Sequence, residues 1–293
     1  YSFNYNKVHF IILDNVLYPD PRYGKGYRGG MRTEQLDFIE NDLKLVPKDH
    51  LIVLSHHIHL FDDDFRSADK QRLFDLLREF PHTLSLSAHT HMQQQYFHDQ
   101  KDGLNRTTPH HEYNVGTTSG DWYTGEPNDA GIPSGQMRDG TPKGYMFVSF
   151  SGNKYQMDYR VAGAHADYKI NIYAPRAIPK GRLPWNYLYA NFFQGSSRDT
   201  LEYRIDDGAW KRMKWTLDID PIMCGIRYRW DTAEKPLKGV KPTSPAMSPH
   251  LWKVALSGNV DEGRHIIEVR AKDTLGRVYT NSTSFMVTET DIR

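Results

Sequence analysis

His50-Leu-Ile-Val-Leu-Ser-His-His-Ile-His59 and Thr83-Leu-Ser-Leu-Ser-Ala-His-Thr-His91 decide how this chain reads. Each is a strand-like run that closes on a cluster of imidazoles. Open α/β sheets bind ligands in the crevice beyond the carboxyl ends of their strands, and neutral imidazole is the commonest metal ligand among side chains. His89 and His91 lie two apart, so in an extended segment both project to one side. Two such clusters ending consecutive strands point to a metal site. The alternative for any single histidine is a polar strand end that faces solvent.

Working outward, Tyr1–Tyr5 and Lys7–Asp14 read as a hairpin turned at Asn4–Asn6, its second half an apolar run suited to a buried strand. Residues 18–32 form a loop rich in Pro, Gly, Tyr and Arg. Thr33 reads as the cap of a helix over Glu34–Leu45, with Leu36, Ile39 and Leu43 on one face. A second amphipathic helix spans Ser67–Phe80, with Leu73, Leu76, Leu77 and Phe80 inward. Asp62-Asp63-Asp64 reads as a solvated turn, with cation contact as the alternative. Strand, helix, strand, helix, strand at this spacing means βαβ crossovers and a mainly parallel sheet. Three strands and two helices would leave sheet edges and a face bare.

The chain has 293 residues, enough for two domains. A net charge of +1 gives no nucleic-acid surface. The single Cys224 excludes an intrachain disulfide and a Cys-rich zinc module. No run approaches the ~20 apolar residues of a membrane span, and the expectation from these residues is that they carry no signal peptide. The chain opens on Tyr1 inside a strand pattern, without Met, and is expected to be cut from something longer. A periplasmic or secreted location is the working expectation. Two glycan acceptor motifs, at Asn105 and Asn281, carry little weight.

Glu112-Tyr-Asn-Val-Gly reads as a further strand, and His98, His110 and His111 as surface histidines. The loop from Gly116 to Gly144 is nearly thirty residues long and holds Asp121, Trp122, Tyr123, Met137, Arg138 and Asp139. Loops of that length are usually functional or disordered. This one is expected to fold beside the histidines. Met146–Phe150 and Lys154–Arg160 form a hairpin. Beyond residue 165 the reading is a strand over Asp167–Ala174, a hairpin from Leu201 with Asp-Gly at its tip, a proline-rich irregular stretch over 233–250, and strands over Leu251–Leu256, His265–Ala271 and Val278–Val287. That pattern suggests a small antiparallel β-sandwich. Trp210, Trp215, Trp230 and Trp252 read as core or interface packing, with a sugar platform as the alternative.

The order of strand, Glu-Gln-Leu helix, Leu-Ile-Val-Leu-Ser-His-His strand and Ser-Ala-His-Thr-His strand resembles the second half of a calcineurin-like metallophosphoesterase. The resemblance covers about residues 1–160. It is similar to a bacterial subgroup with an additional C-terminal β domain. It implies α/β plus β: the second half of an αββα sandwich over 1–163, then an accessory β-sandwich over 164–293. Carried over residue by residue, it makes His57, His89 and His91 metal ligands, with His56 the register alternative to His57. His57 and His89 would serve one metal and His91 the other, of two divalent ions (Zn, Mn or Fe). Ala88 stands where the family usually has Gly, and His59 where a related subgroup tends to have Pro. Asp121 and Trp122 become candidates for contacting a phosphate ester substrate, against Trp122 merely pinning its loop. The family's earlier motifs, Asp-x-His, Gly-Asp-x-x-Asp and Gly-Asn-His-Asp/Glu, do not occur here; they belong to an N-terminal half that this chain lacks. The implied reaction is metal-dependent hydrolysis of phosphate mono- or diesters, weak or absent in this chain alone. The rival reading is a non-catalytic glycan- or protein-binding module with structural or vestigial histidines. A mononuclear zinc or iron site on the three histidines is a further one.

Overall fold

The apolar runs and alternations resolve, in the computed structural model of residues 1–22 and 24–289, into a β-rich chain with three α-helices among the described residues. In order come β1 (Ser2–Tyr5), β2 (Val8–Ile12), β3 (Val16–Leu17), β4 (Arg28–Gly29), α1 (Thr33–Leu43), β5 (Leu51–Ser55), α2 (Ser67–Leu77), β6 (Thr83–Ser87), β7 (Gln94–His98), β8 (His110–Asn114), β9 (Gly144–Ser151) and β10 (Lys154–Val161). Then follow β11 (Ile170–Tyr173), β12 (Ala177–Pro179), β13 (Tyr187–Phe192), β14 (Thr200–Ile205), β15 (Lys211–Arg212), β16 (Lys214–Ile219), α3 (Pro221–Asp231), β17 (Met247–Ala255), β18 (Gly263–Lys272) and β19 (Val278–Thr288). The chain makes two compact units. The first is Tyr1–His91, Gln95–Gly116 and Met146–Asp158; the second is Met92–Gln94, Thr117–Tyr145 and Tyr159–Arg293.

In the first unit a six-stranded sheet runs β1-β2-β5-β6-β8-β7. β2, β5, β6 and β8 pair in parallel, and β1 closes one edge as an antiparallel hairpin with β2. The unbroken apolar run Leu51–Leu54 is explained by burial on both faces, as in other parallel sheets. Ile52 and Leu54 face Leu36, Ile39, Leu43, Leu73 and Leu77 of α1 and α2. Leu51 and Val53 turn the other way, toward Leu84, Tyr113 and Met157, with Met146, Val148 and Phe150 packed on them. Each fully buried aliphatic side chain stabilises this arrangement by about 1.5–3 kcal/mol.

Two expectations fail at α1. Thr33 is not its cap: the helix begins from Arg32, with no side-chain cap bond. The entry is fixed instead by Met31, whose N–H donates to the Asp69 carboxylate at 2.7 Å. The helix ends at Leu43, and Leu45 is 84% exposed. In α2 Leu73 and Leu77 are buried as expected, Leu76 is only partly buried, and Phe74 is buried although the sequence reading did not place it inward; Phe80 stays buried although the helix stops at Leu77.

The second unit has a four-stranded sheet, β11-β13-β17-β16, and a five-stranded sheet, β12-β19-β18-β14-β15. Leu188, Phe192 and Trp252 of the first share a core with Leu201, Tyr203, Ile267, Val269 and Phe285 of the second. Trp252 is a core residue. Trp210 lies between the Arg204 and Arg270 guanidinium groups, 4.8 and 4.2 Å from its ring centre. The sequence reading missed α3, although Asp220-Pro221 is a start signal. The Asp220 carboxylate accepts from Ile222 N at 2.7 Å.

The long loop belongs to this second unit and is built into it by a buried polar cluster. Asp139 accepts from Gln93 N (2.7 Å) and Thr141 N (2.8 Å), and faces His250 Nε2 at 3.1 Å. His250 Nδ1 meets Asn191 Oδ1 at 2.7 Å, and Asn191 Nδ2 donates to Asp220 at 2.6 Å. All four side chains are buried. Burial opposes the charged form of Asp139, but the His250 imidazole and the two amide donors outweigh it and hold the carboxyl below its usual range. Burial raises the pKa of Asp220.

Candidate metal centre

β5 and β6 are adjacent and parallel, so their carboxyl ends deliver both histidine turns to the same place. The turns are tied together by Ala88 N donating to His57 O at 3.0 Å, a bond that the alanine methyl does not prevent. His57 Nε2 and His89 Nδ1 lie 3.1 Å apart, with the rings edge to face at 5.0 Å between centres. Tyr27 packs edge-on against His89 at 5.7 Å. Burial lowers the pKa of His89, and the neighbouring His57 and His91 imidazoles lower it further. His91 is thus close enough to act on His89 electrostatically.

The premise that His89 and His91 sit in an extended segment fails. β6 stops at Ser87, and both residues take left-handed backbone, φ +79° and +57°. Histidine is among the residues that tolerate this region, but two such residues in one turn signal a backbone held by its surroundings.

Of the two adjacent histidines, it is His57 that is exposed and meets His89. His56 turns inward: its Nδ1 contacts Ile58 O at 2.9 Å and Asn15 Nδ2 at 3.3 Å. Burial lowers the pKa of His56. His59 is buried too, stacked on Phe61 at 4.0 Å, with Nε2 3.7 Å from Asp62. The acidic turn divides. Asp62 stays by His59, whereas Asp64 takes a two-pronged contact from Arg22 at 2.8 and 2.7 Å.

His98, His110 and His111 are not surface histidines. All are buried: His110 and His111 lie in β8, which is buried along its whole length, and His98 is the buried last residue of β7. His98 Nε2 meets the fully buried Glu112 at 2.8 Å. His110 sits between Thr83 and Ser85 hydroxyls at 2.8 Å each, and His111 Nδ1 meets the Tyr155 hydroxyl at 2.7 Å. Sequence reasoning also missed Asn15 and Glu112 as parts of this site. For Glu112 the available signal was a carboxylate inside a fully buried strand; Asn15, in the connection after β2, gave none.

The donor set can be tested for fit. His57 Nε2 and His89 Nδ1 share a hydrogen bond at 3.1 Å, one nitrogen donating to the other. Two nitrogens on one tetrahedral zinc at ~2.0–2.1 Å lie roughly 3.3 Å apart, so the pair could serve one ion only after losing the shared proton and turning both lone pairs toward it. Among the described residues no three His, Cys, Asp or Glu side chains are grouped to hold a metal, so the set is incomplete without further ligands. Asp121 and Trp122 belong to the second unit. Asp121 is buried and accepts from the Thr243 hydroxyl. Trp122 is 71% exposed and left-handed, at φ +56°. No helix among the described residues is long and apolar enough to cross a membrane.

Comparison with known proteins bears on this geometry. No curated protein matches. Among solved structures, CopC from Methylosinus trichosporium OB3b is 10% identical, covering 42% of this chain and 94% of that one with a TM-score of 0.23. A conjugative transposon lipoprotein from Bacteroides eggerthii DSM 20697 is 13% identical, covering 40% and 97% with a TM-score of 0.20. Neither score bears on fold or function. The family model MetallophosC, C terminal of calcineurin-like phosphoesterase, matches residues 112–279, more than half of the chain. The match starts within β8 and runs into β19, well past the 1–160 over which the motifs carried the resemblance. With the histidine turns on β5 and β6 and the family's C-terminal pattern from Glu112 onward, this chain belongs to the calcineurin-like phosphoesterases.

Proposed function

We propose that His57, His89 and His91 form the metal-holding wall of a site that hydrolyses phosphate mono- or diesters. The delivery of His57 and His89 to one place by the adjacent parallel strands β5 and β6 supports this reading. His57 and His89 hold one divalent ion and His91 a second, and such ions supply stabilisation of charge developing on the phosphoryl oxygens. The first unit is read as the second half of an αββα sandwich. The exposed Trp122 ring is proposed to contact substrate. Asp121, engaged with Thr243, holds the turn that presents it.

The ungrouped third ligand supports weak or no hydrolysis by this chain alone, with a bridging carboxylate coming from outside this sequence. Zinc titration calorimetry on the chain and on His57→Ala, His89→Ala and His91→Ala tests the site. Zinc uptake that His89→Ala reduces tenfold or more is expected. Uptake identical in all four proteins would discard the site in favour of a glycan- or protein-binding module. A chromogenic phosphate ester with added manganese or zinc then tests activity. Rapid turnover abolished by His91→Ala would show the histidines alone suffice. Trp122→Ala in a hydrolytically competent form should alter KM or ester preference and leave metal uptake unchanged.

A further inference from the structure

β8 is a strand of five buried residues, His-His-Glu-Tyr-Asn, four of them polar. Alternation puts His110, Glu112 and Asn114 on one face of it. Two of these reach the histidine turns. Both Glu112 oxygens accept from Leu60 N, at 3.0 and 3.1 Å, while His98 Nε2 contacts one of them at 2.8 Å. Asn114 Nδ2 donates at 2.5 Å to the Thr90 hydroxyl, between His89 and His91. From the other side of the His57 turn, Asn15 Oδ1 accepts from His57 N (3.1 Å) and Ile58 N (2.9 Å), and Asn15 Nδ2 donates to Ile58 O (2.5 Å).

The turn that presents His57 therefore has its backbone fixed at residues 57, 58 and 60 by side chains more than forty positions away. A fully buried carboxylate is costly unless it is well partnered, and nothing about sheet stability requires one at this position. What the carboxylate supplies is an acceptor for a backbone N–H in a turn that no strand pairs.

We propose that Glu112 and Asn15 are positioning residues for the histidine pair: they clamp the His56–Leu60 turn so that the His57 ring stands against His89. Neither touches the ion site. The inference rests on the metal reading for its consequence, but the clamp itself is a property of the metal-free protein.

The test uses Glu112→Gln, which keeps the shape but turns an N–H₂ toward a donor. Ile39→Val, a truncation in the α1 core, serves as control. Amide hydrogen exchange at His57, Ile58 and Leu60, and the nuclear Overhauser contact between the His57 and His89 rings, are read without metal. Zinc affinity is read by calorimetry. Glu112→Gln should speed exchange at Leu60, weaken the ring contact and reduce zinc affinity about 10–100-fold, the range found when groups supporting metal ligands are lost. Ile39→Val should move none of these, whatever its effect on melting temperature. Should Glu112→Gln fail to fold, Asn15→Asp, which keeps the acceptor but loses the donor to Ile58 O, should loosen the same turn. Exchange and ring contact as in the unaltered protein overturn the clamp. If the unaltered chain takes up no zinc, the metal reading falls, and the exchange and ring-contact results still decide the clamp.

Discussion

Replacing Asp139 by Asn isolates the charge at the centre of the buried cluster with almost no change of volume. The carboxylate accepts from Gln93 N, Thr141 N and His250 Nε2, all in a dry environment. An amide keeps one acceptor. If its oxygen stays on Thr141 N, its N–H₂ faces Gln93 N, a donor against a donor. His250 adapts by presenting an unprotonated Nε2 and donating from Nδ1 to Asn191 Oδ1. The loss is one charge-assisted bond, about 1.5–3 kcal/mol, plus an orphaned buried N–H, about 1–3 kcal/mol. Relaxation recovers part of this, so about 3 kcal/mol at pH 7 is expected, or ~6–12 °C in Tm. The pH dependence is the sharper test. The folded pKa of Asp139 lies below its ordinary 3.8, so its stabilisation is present above 3.8 and is lost as pH falls through the folded value. Urea unfolding of the two proteins should differ most near neutrality and converge in acid. A gap under ~0.5 kcal/mol at pH 7, or one that stays constant with pH, would falsify the charged, buried assignment.

His265 offers the opposite sign. The Asp206 carboxylate, 2.7 Å from Nδ1, raises its pKa above 6.5, so the pair's stabilisation is full below 6.5 and fades as pH rises through the folded value. His265→Gln should flatten that decline, an effect of about 0.2–1 kcal/mol visible in Tm between pH 6 and 8. Gly140 has φ +87°, and a Cβ there would lie 2.3 Å from an Asp220 oxygen. Gly140→Ala should cost ~1–3 kcal/mol from the backbone alone, and a Tm within a degree of the unaltered protein would contradict the close approach. Thr33→Ala should change stability by under ~0.5 kcal/mol, because Thr33 makes no capping bond. A loss in the ~0.5–2 kcal/mol range of true caps would restore the sequence reading.

The main parallel strands and the two helices of the first unit were legible because period and burial agree there, whereas β3, β4 and β7 were not read. Leu51–Leu54 is apolar throughout, and Leu36, Ile39 and Leu43 mark one helical face. The pairing of His57 with His89 was legible from two clusters ending adjacent strands. The backbone at His89 and His91 was not, since a left-handed turn in non-glycine residues leaves no mark on composition. Nor was the burial of His98, His110 and His111: one-dimensional polarity reads as exposure, whereas here Glu112, Thr83, Ser85 and Tyr155 give each ring at least one partner inside the fold. Asp139 misled in the same way. It reads as loop charge, and its partners His250 and Asn191 lie more than fifty residues downstream, too far for any local pattern to join them.

The interleaving of the two units has a consequence for how such a protein can be inherited. The chain passes between units after His91, Gln94, Gly116, Tyr145 and Asp158. No single cut frees the second unit, because Thr117–Tyr145 would stay with the wrong fragment and take Asp139 from His250. Recombination that moves a whole module at one breakpoint, as it does with beads on a string, would leave a buried imidazole without its carboxylate. The β-rich unit and the histidine-bearing unit are therefore bound to descend as one gene segment.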